Sequence, residues 1–140
     1  MNTSRTLEQL EAHRWPEPTA DSSPMMTRCH ALRRVPLASL SAGDCRVLLT
    51  QGIGTRYVLP IALDLVDANP LVEGDYYTGD VLTALLRLSP DEWAGNEALR
   101  PRLMSAAKRA DDVLALDPEP SGSDLRLRRD IQAALAALGA

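Results

Sequence analysis

Three carboxylates and two tyrosines lie close together in the sequence, and side chains of these types can perform several kinds of chemistry. The stretch NPLVEGDYYTGDVL contains Glu73, Asp75 and Asp80 around the pair Tyr76 and Tyr77. Two carboxylates can act as general acid and base, but the acid needs a pKa raised by apolar surroundings. Here the segment contains glycines and precedes a helix, so solvation and the helix dipole favour ionised carboxylates. A catalytic pair is therefore disfavoured.

A metal site is also disfavoured by the spacing. A calcium loop needs oxygen ligands at alternating positions and a late bidentate glutamate, and the acids of this stretch do not follow that order. The histidines, His13 and His30, stand alone in the sequence, and we expect both at the surface or at helix ends. Cys29 precedes His30, but adjacent side chains on a helix point about 100° apart. We expect no metal and no cofactor, and a small metal-dependent hydrolase is the most distant alternative.

The charge pattern around the tyrosines favours a binding surface. The chain has a net charge of −4, but residues 64–92 contain seven acids and one base, a local net charge of −6. Such asymmetry is typical of a negative field that attracts a basic partner, although a solvated acidic face is the simpler alternative. The tyrosines either cover the core or anchor an interface. The candidate partner-binding residues are Asp64, Asp67, Glu73, Asp75, Tyr76 and Tyr77.

The elements that position these residues are predicted to be helices. Apolar residues recur at helical spacing along most of the 140 residues, and no segment shows the alternation of a strand. We therefore predict an all-α, single-domain bundle of six or seven helices that spans residues 1–140. Residues 1–23 are expected to form a loosely structured arm, and residues 116–123 a loop before the last helix.

Local signals mark several helix boundaries. Ser23 followed by a proline is typical of a helix start, and Ser41 with Asp44 resembles a capping box. Thr78 or Asp80 is expected to cap the helix after the tyrosines. Pro60 predicts either a kinked helix or one that begins near residue 58. The expected inward stripes contain Met25, Cys29 and Leu32; Cys45, Leu48 and Leu49; Val81, Leu82, Leu85 and Leu86; Leu99, Leu103, Ala106, Ala110 and Val113; and Leu127, Ile131, Leu135 and Leu138.

Composition limits the compartment and the partner. Cys29 and Cys45 are expected to be buried thiols in a reducing environment. The sequence shows neither a signal peptide nor an apolar run of the roughly 18 residues that a membrane span needs, so we expect a cytoplasmic protein without membrane contact. The basic clusters at Arg33-Arg34 and residues 126–130 are expected to form salt bridges along their helices. Because the chain is acidic overall, we expect no nucleic-acid partner.

The sequence also resembles the immunity proteins of contact-dependent growth inhibition systems. The similarity runs from Cys29 to Leu86 and includes the opening TLEQLE. Its ordered pieces are Leu32-Arg33, Pro36-Leu37, Arg46, Gln51 to Gly54, Tyr57 to Leu63, Asn69 to Leu71, and Glu73 to Tyr77 with Gly79-Asp80. Thr78 stands where the family is associated with proline. Residues after about Trp93 are covered poorly.

The resemblance implies a small cytoplasmic helical protein that is not an enzyme and has no cofactor. It implies binding and neutralisation of a cognate toxin C-terminal domain, which we expect to be a basic nuclease. An acidic protein suits such a role because it can imitate a polyanion and is steered electrostatically towards a basic partner. A helical adaptor that holds another basic protein is the alternative from a different class. Neither the sequence nor the resemblance predicts the oligomeric state.

Overall fold

The computed structural model describes residues 2–137, and all regular secondary structure in that range is helical, which confirms the predicted all-α fold. Three short 3-10 helices, Leu37–Ser39, Pro90–Trp93 and Glu97–Leu99, lie between α-helices. No helix of the described range is long and apolar enough to cross a membrane. The α-helices are α1 (Leu7–Glu11), α2 (Pro24–Leu32), α3 (Ala42–Gln51), α4 (Thr55–Ala68), α5 (Asp80–Leu86), α6 (Arg100–Leu114) and α7 (Gly122–Ala137).

Helices α4 and α5 form the centre of the bundle. Helix α3 packs against both of them, α6 packs against α4, and α7 packs against α5 and α6. The residues of α5 from Asp80 to Leu85 are all buried, because this short helix is covered on several sides. The core is mainly leucine, valine and alanine, so its stability comes from buried aliphatic area at about 25 cal/mol per Å².

The predicted helix starts at Ser23 and Ser41 are confirmed. The Ser23 hydroxyl accepts a hydrogen bond from the Met26 amide at 3.1 Å. Ser41 and Asp44 form a reciprocal capping box, with distances of 3.1 Å and 2.9 Å. The expected cap of α5 is wrong: the N-cap is neither Thr78 nor Asp80 but Gly79, whose φ of 83° is left-handed. Asp80 is the first residue of the helix.

Pro60 lies inside α4, which begins at Thr55 rather than near residue 58. A proline has no N–H, so the carbonyl four residues earlier loses its helical partner. That carbonyl belongs to Arg56, and the side-chain amide of Asn96 donates to it at 2.9 Å. A residue forty positions away therefore satisfies the acceptor that the proline leaves free.

The N-terminal arm differs from the loose segment expected for residues 1–23. It contains α1, whose capping box joins Thr6 and Gln9, and Leu7 is completely buried. The Leu37 amide donates to the Arg5 carbonyl at 3.0 Å. Ion pairs hold the rest of the arm: Arg33 pairs with Glu11, and Arg34 pairs with Glu8 and Glu17. These pairs link separate segments, whereas salt bridges along one helix had been expected.

Two histidine predictions have different outcomes. His13 is exposed, as expected. His30 lies in the last turn of α2, which agrees with the expected helix end, but it is only 7% exposed and is therefore not at the surface. Its Nε2 atom lies 3.8 Å from a Glu17 carboxylate oxygen, and both residues line a cavity of about 410 Å³ together with Trp15 and Met26. The segment that follows α1 folds back over α2 and covers the imidazole.

Apart from Val113, the described residues that were predicted to face inward are buried or partly buried. Cys29 and Cys45 are buried free thiols, as predicted, and burial raises the pKa of Cys45 to about 12. Val113 is 52% exposed instead of buried, because Leu114, one residue on, occupies the inward stripe of α6. Leu138, expected on the inner face of α7, lies outside the described residues.

Candidate functional site: the loop between α4 and α5

The loop of residues 69–79 presents the two adjacent tyrosines to solvent. Tyr76 is 64% exposed and Tyr77 is 42% exposed, and both are among the large hydrophobic residues most open to solvent. Glu73 is also exposed and forms no ion pair with another described residue. Of the two interpretations left open by the sequence, the structure favours an exposed pair over a lid on the core.

Asp80 fixes the shape of this loop from beneath. Its side chain is almost completely buried, and its two carboxylate oxygens accept hydrogen bonds from loop amides. The amide of Gly74 donates to Oδ1 at 2.5 Å, and the amides of Tyr76 and Tyr77 donate to Oδ2 at 3.1 Å and 3.5 Å. A carboxylate that gathers several amides holds them in one arrangement. Asp80 is therefore a structural anchor, and its oxygens are not free to act as a base.

Arg46 of α3 connects the anchor to the exposed tyrosine. Its guanidinium carbon lies 4.1 Å from the centre of the Tyr76 ring, which is the geometry of a cation–π contact. Its Nε atom lies 3.9 Å from Asp80 Oδ2. Because the arginine is itself mostly buried, the ring rests on a fixed support and its other face stays open to solvent.

Asp75 is tied to α2 and α3. The Arg28 guanidinium bridges Asp75 at 2.8 Å and Asp44 at 3.2 Å. The hydrogen bond with Asp75 is the main cause that raises the pKa of Arg28. Burial alone would raise the pKa of Asp44, but hydrogen bonds from Ser41 and Arg28 outweigh it and hold that pKa below its usual value.

Gly43 is required by the approach of Asp75 to α3. A Cβ atom at this position would lie 2.2 Å from an oxygen of the Asp75 carboxylate. Such a contact is impossible without displacement of the side chain. The glycine in the first turn of α3 thus leaves room for the loop, which is a requirement that the sequence alone did not reveal.

Asp64 and Asp67 belong to a different cluster. Both pair with Arg102 of α6, with 2.8 Å between Arg102 and Asp64. Arg109 also donates to the Asp67 carbonyl at 3.1 Å. The hydrogen bond with Asp64 is the largest of the effects that raise the pKa of Arg102. The six candidate residues are therefore divided between the 69–79 loop and the contact of α4 with α6.

The negative field expected from residues 64–92 is smaller than the linear sequence indicates. Arginines from outside that window pair with its acids: Arg28, Arg46, Arg102 and Arg109. Opposite charges at such distances cancel much of the field outside the protein. The exposed and unpaired acid of the loop is Glu73, so the site is an aromatic surface with a local acidic edge.

The exposed side chains of this loop are of the kind found in docking surfaces. In the part of the chain that the structure describes, no group of three or more histidine, cysteine, aspartate or glutamate side chains could hold a metal ion. Two exposed aromatic rings beside a carboxylate, on a loop whose amides are held by Asp80, offer contact area at low entropic cost, which is typical of interface anchors. The sequence indicated these rings but not their supports, which come from distant parts of the chain: Arg46 lies against Tyr76, and Arg28 and Gly43 accommodate Asp75.

Comparison with known protein families identifies one that the sequence matches. Residues 9–103 match the profile of a family described as CDI immunity proteins. The matched segment covers more than half of the chain and includes α2 to α5, the 69–79 loop and the residues that support it. It ends within α6, so α7 lies outside it. No curated protein sequence matches the chain.

Proposed function

Because this chain belongs to the family of CDI immunity proteins, whose role is to neutralise a toxin, we propose that it binds a cognate toxin domain through the 69–79 loop. The partner-facing residues of this proposal are Tyr76 and Tyr77 with Glu73 at their edge. Asp75 shapes the surface while it pairs with Arg28. Asp64 and Asp67 lie at its periphery, where Arg102 reduces their charge.

One observation carries the proposal: two adjacent tyrosines are held outward by a loop whose amides are bound to a buried carboxylate. Exposed aromatic rings cost solvation energy in an isolated protein, and a fixed loop does not let them fold away. Such a surface loses little conformational entropy when a partner covers it. It is suited to tight capture.

The partner that this surface fits is a basic toxin domain, and a nuclease is the kind we propose. A domain that handles nucleic acid needs positive charge near its site to bind phosphates. This chain has a net charge of −4 and an exposed carboxylate beside its aromatic surface. Occlusion of that site in the cytoplasm by an acidic protein would stop the toxin before it turns over.

Co-expression tests the function directly. The C-terminal domain of the toxin encoded directly upstream would be produced in cells with or without this chain. We expect growth arrest without the chain, rescue with it, and co-purification of the two proteins at a fixed ratio. A toxic domain that neither binds the chain nor is neutralised by it would refute the proposal. Binding without rescue would favour an adaptor role instead.

A further inference from the structure

A small cleft lies beside the tyrosine loop, on the side of the C-terminal helix. It has a volume of about 210 Å³ and lies between the loop, α5 and α7. Tyr77 forms one wall, Arg87 lies at the end of α5, and Arg126 and Asp130 come from α7. The cleft therefore shares Tyr77 with the surface described above, but its other walls come from different elements.

Close packing of α7 on the loop builds this cleft. Gly79 has a φ of 83°, and a Cβ atom there would lie 2.6 Å from a methyl carbon of Leu127. The absence of a side chain lets Leu127 pack directly on the end of the loop, where it is buried. Arg126 and Asp130 lie one residue before and three residues after Leu127, so this contact brings both to the cleft.

The two arginines of the cleft are uncommitted. Arg87 and Arg126 are exposed, and neither forms an ion pair or a side-chain hydrogen bond with any residue from 2 to 137. Arg46 and Arg128, by contrast, pair with carboxylates of the same chain. Asp130 is the one acid among the residues that line the cleft, so two positive charges outnumber one negative charge there.

We infer that this cleft receives a carboxylate side chain, aspartate or glutamate, of the toxin domain bound by the loop. Guanidinium groups bind carboxylates through paired N–H donors, and these pairs are stronger and more directional than those of lysine. Tyr77 lines the cleft and also belongs to the aromatic contact surface, so the two arginines lie next to that surface. The inference rests on the proposed function, since it assumes that the partner already covers the loop.

The position of the cleft in the chain indicates a role in partner choice. The loop lies inside the segment shared with the family, residues 9–103, whereas α7 lies outside it. An acidic edge at Glu73 followed by a basic cleft at Arg126 forms an alternating pattern of charge. Such a pattern fixes the orientation of a complementary partner and repels one that presents a basic side chain to the cleft.

Charge reversal in the cleft tests this inference. The affinity of the purified upstream toxin domain would be measured for the wild-type chain and for the Arg126→Glu and Arg87→Glu variants. The matched control is Arg129→Glu. It makes the same reversal of charge at an exposed position of α7 that does not line the cleft. We expect a loss of at least about tenfold for the two cleft variants and less than about threefold for the control. Thermal unfolding verifies that each variant is folded. We expect Arg126→Gln, which removes the charge without reversing it, to lose an intermediate amount of affinity.

A second series identifies the receiving partner residue. Acidic residues of the toxin domain would be neutralised one at a time and tested against the wild type and Arg126→Gln. We expect one carboxylate whose removal weakens binding to the wild type but has little further effect on the variant. Equal losses for Arg126→Glu and Arg129→Glu, or wild-type binding by both cleft variants, would overturn the inference alone. Failure of the wild type to bind would overturn the proposed function and the inference that rests on it.

Discussion

A single buried carboxylate determines the form of the candidate site. Asp80 accepts hydrogen bonds from the amides of Gly74, Tyr76 and Tyr77, and Arg46 lies close to it. The local signal for Asp80 was its position at the start of α5, which predicted a cap. Its real partners are the amides of the preceding loop. A residue can therefore be correctly located in sequence while its structural role is missed, because that role depends on how the loop folds back.

Replacement of Asp80 by alanine should cost stability. The change leaves loop amides without an acceptor and Arg46 without its nearby carboxylate, and each unsatisfied buried group costs roughly 1–3 kcal/mol. We expect the free energy of unfolding to fall by about 3 kcal/mol in a urea titration. Asp112 is an exposed acid on α6 that forms no ion pair among the described residues. Its replacement by alanine should change stability by less than about 0.5 kcal/mol. Equal effects at the two positions would contradict the anchoring role.

At the scale of elements, the site depends on close packing of helices against the loop. Gly43 lets Asp75 approach α3, and Gly79 lets Leu127 of α7 approach the end of the loop. Both glycines therefore act by the space that they leave. The contact at Gly79 also joins the segment matched by the family to α7, which lies beyond it.

Two glycine substitutions separate backbone strain from packing. Gly52 and Gly79 both have left-handed φ values, 70° and 83°. A Cβ atom at Gly52 would meet nothing within 4 Å, whereas one at Gly79 would collide with Leu127. We expect Gly52→Ala to cost about 1 kcal/mol from strain alone. Gly79→Ala should cost at least about 1 kcal/mol more, because α7 must move. Equal losses of unfolding free energy would show that α7 does not pack tightly on the loop.

Local signals predicted the helices better than the contacts between them. The starts at Ser23 and Ser41 were predictable because the cap and the amide that it accepts from lie three residues apart. The pairing of Asn96 with the Arg56 carbonyl joins residues forty positions apart, so no local pattern could indicate it. The same reason explains why the burial of His30 was not predicted: the segment that covers it lies earlier in the chain.

At the scale of the whole molecule, the net charge says less about the binding surface than the distribution of charges over the structure. The acids of residues 64–92 suggested a continuous negative surface, but arginines from α2, α3 and α6 pair with several of them. The sequence indicated the tyrosine pair and Glu73 among its six candidate residues, but it left open whether the tyrosines cover the core. It could not predict which charges would be neutralised, because each ion pair joins distant segments. We therefore propose the 69–79 loop and its neighbouring cleft as the contact surface.

The rate of association with the toxin domain, measured against salt concentration, tests the central claim most directly. The proposal expects Glu73→Lys to slow association about tenfold at low salt and to weaken its dependence on salt, because the exposed carboxylate steers a basic partner. Asp112→Lys changes the total charge equally but lies on α6, and it should slow association less than about twofold. Equal rates for the wild type and Glu73→Lys, or equal slowing by both variants, would contradict the claim that the 69–79 loop receives the toxin.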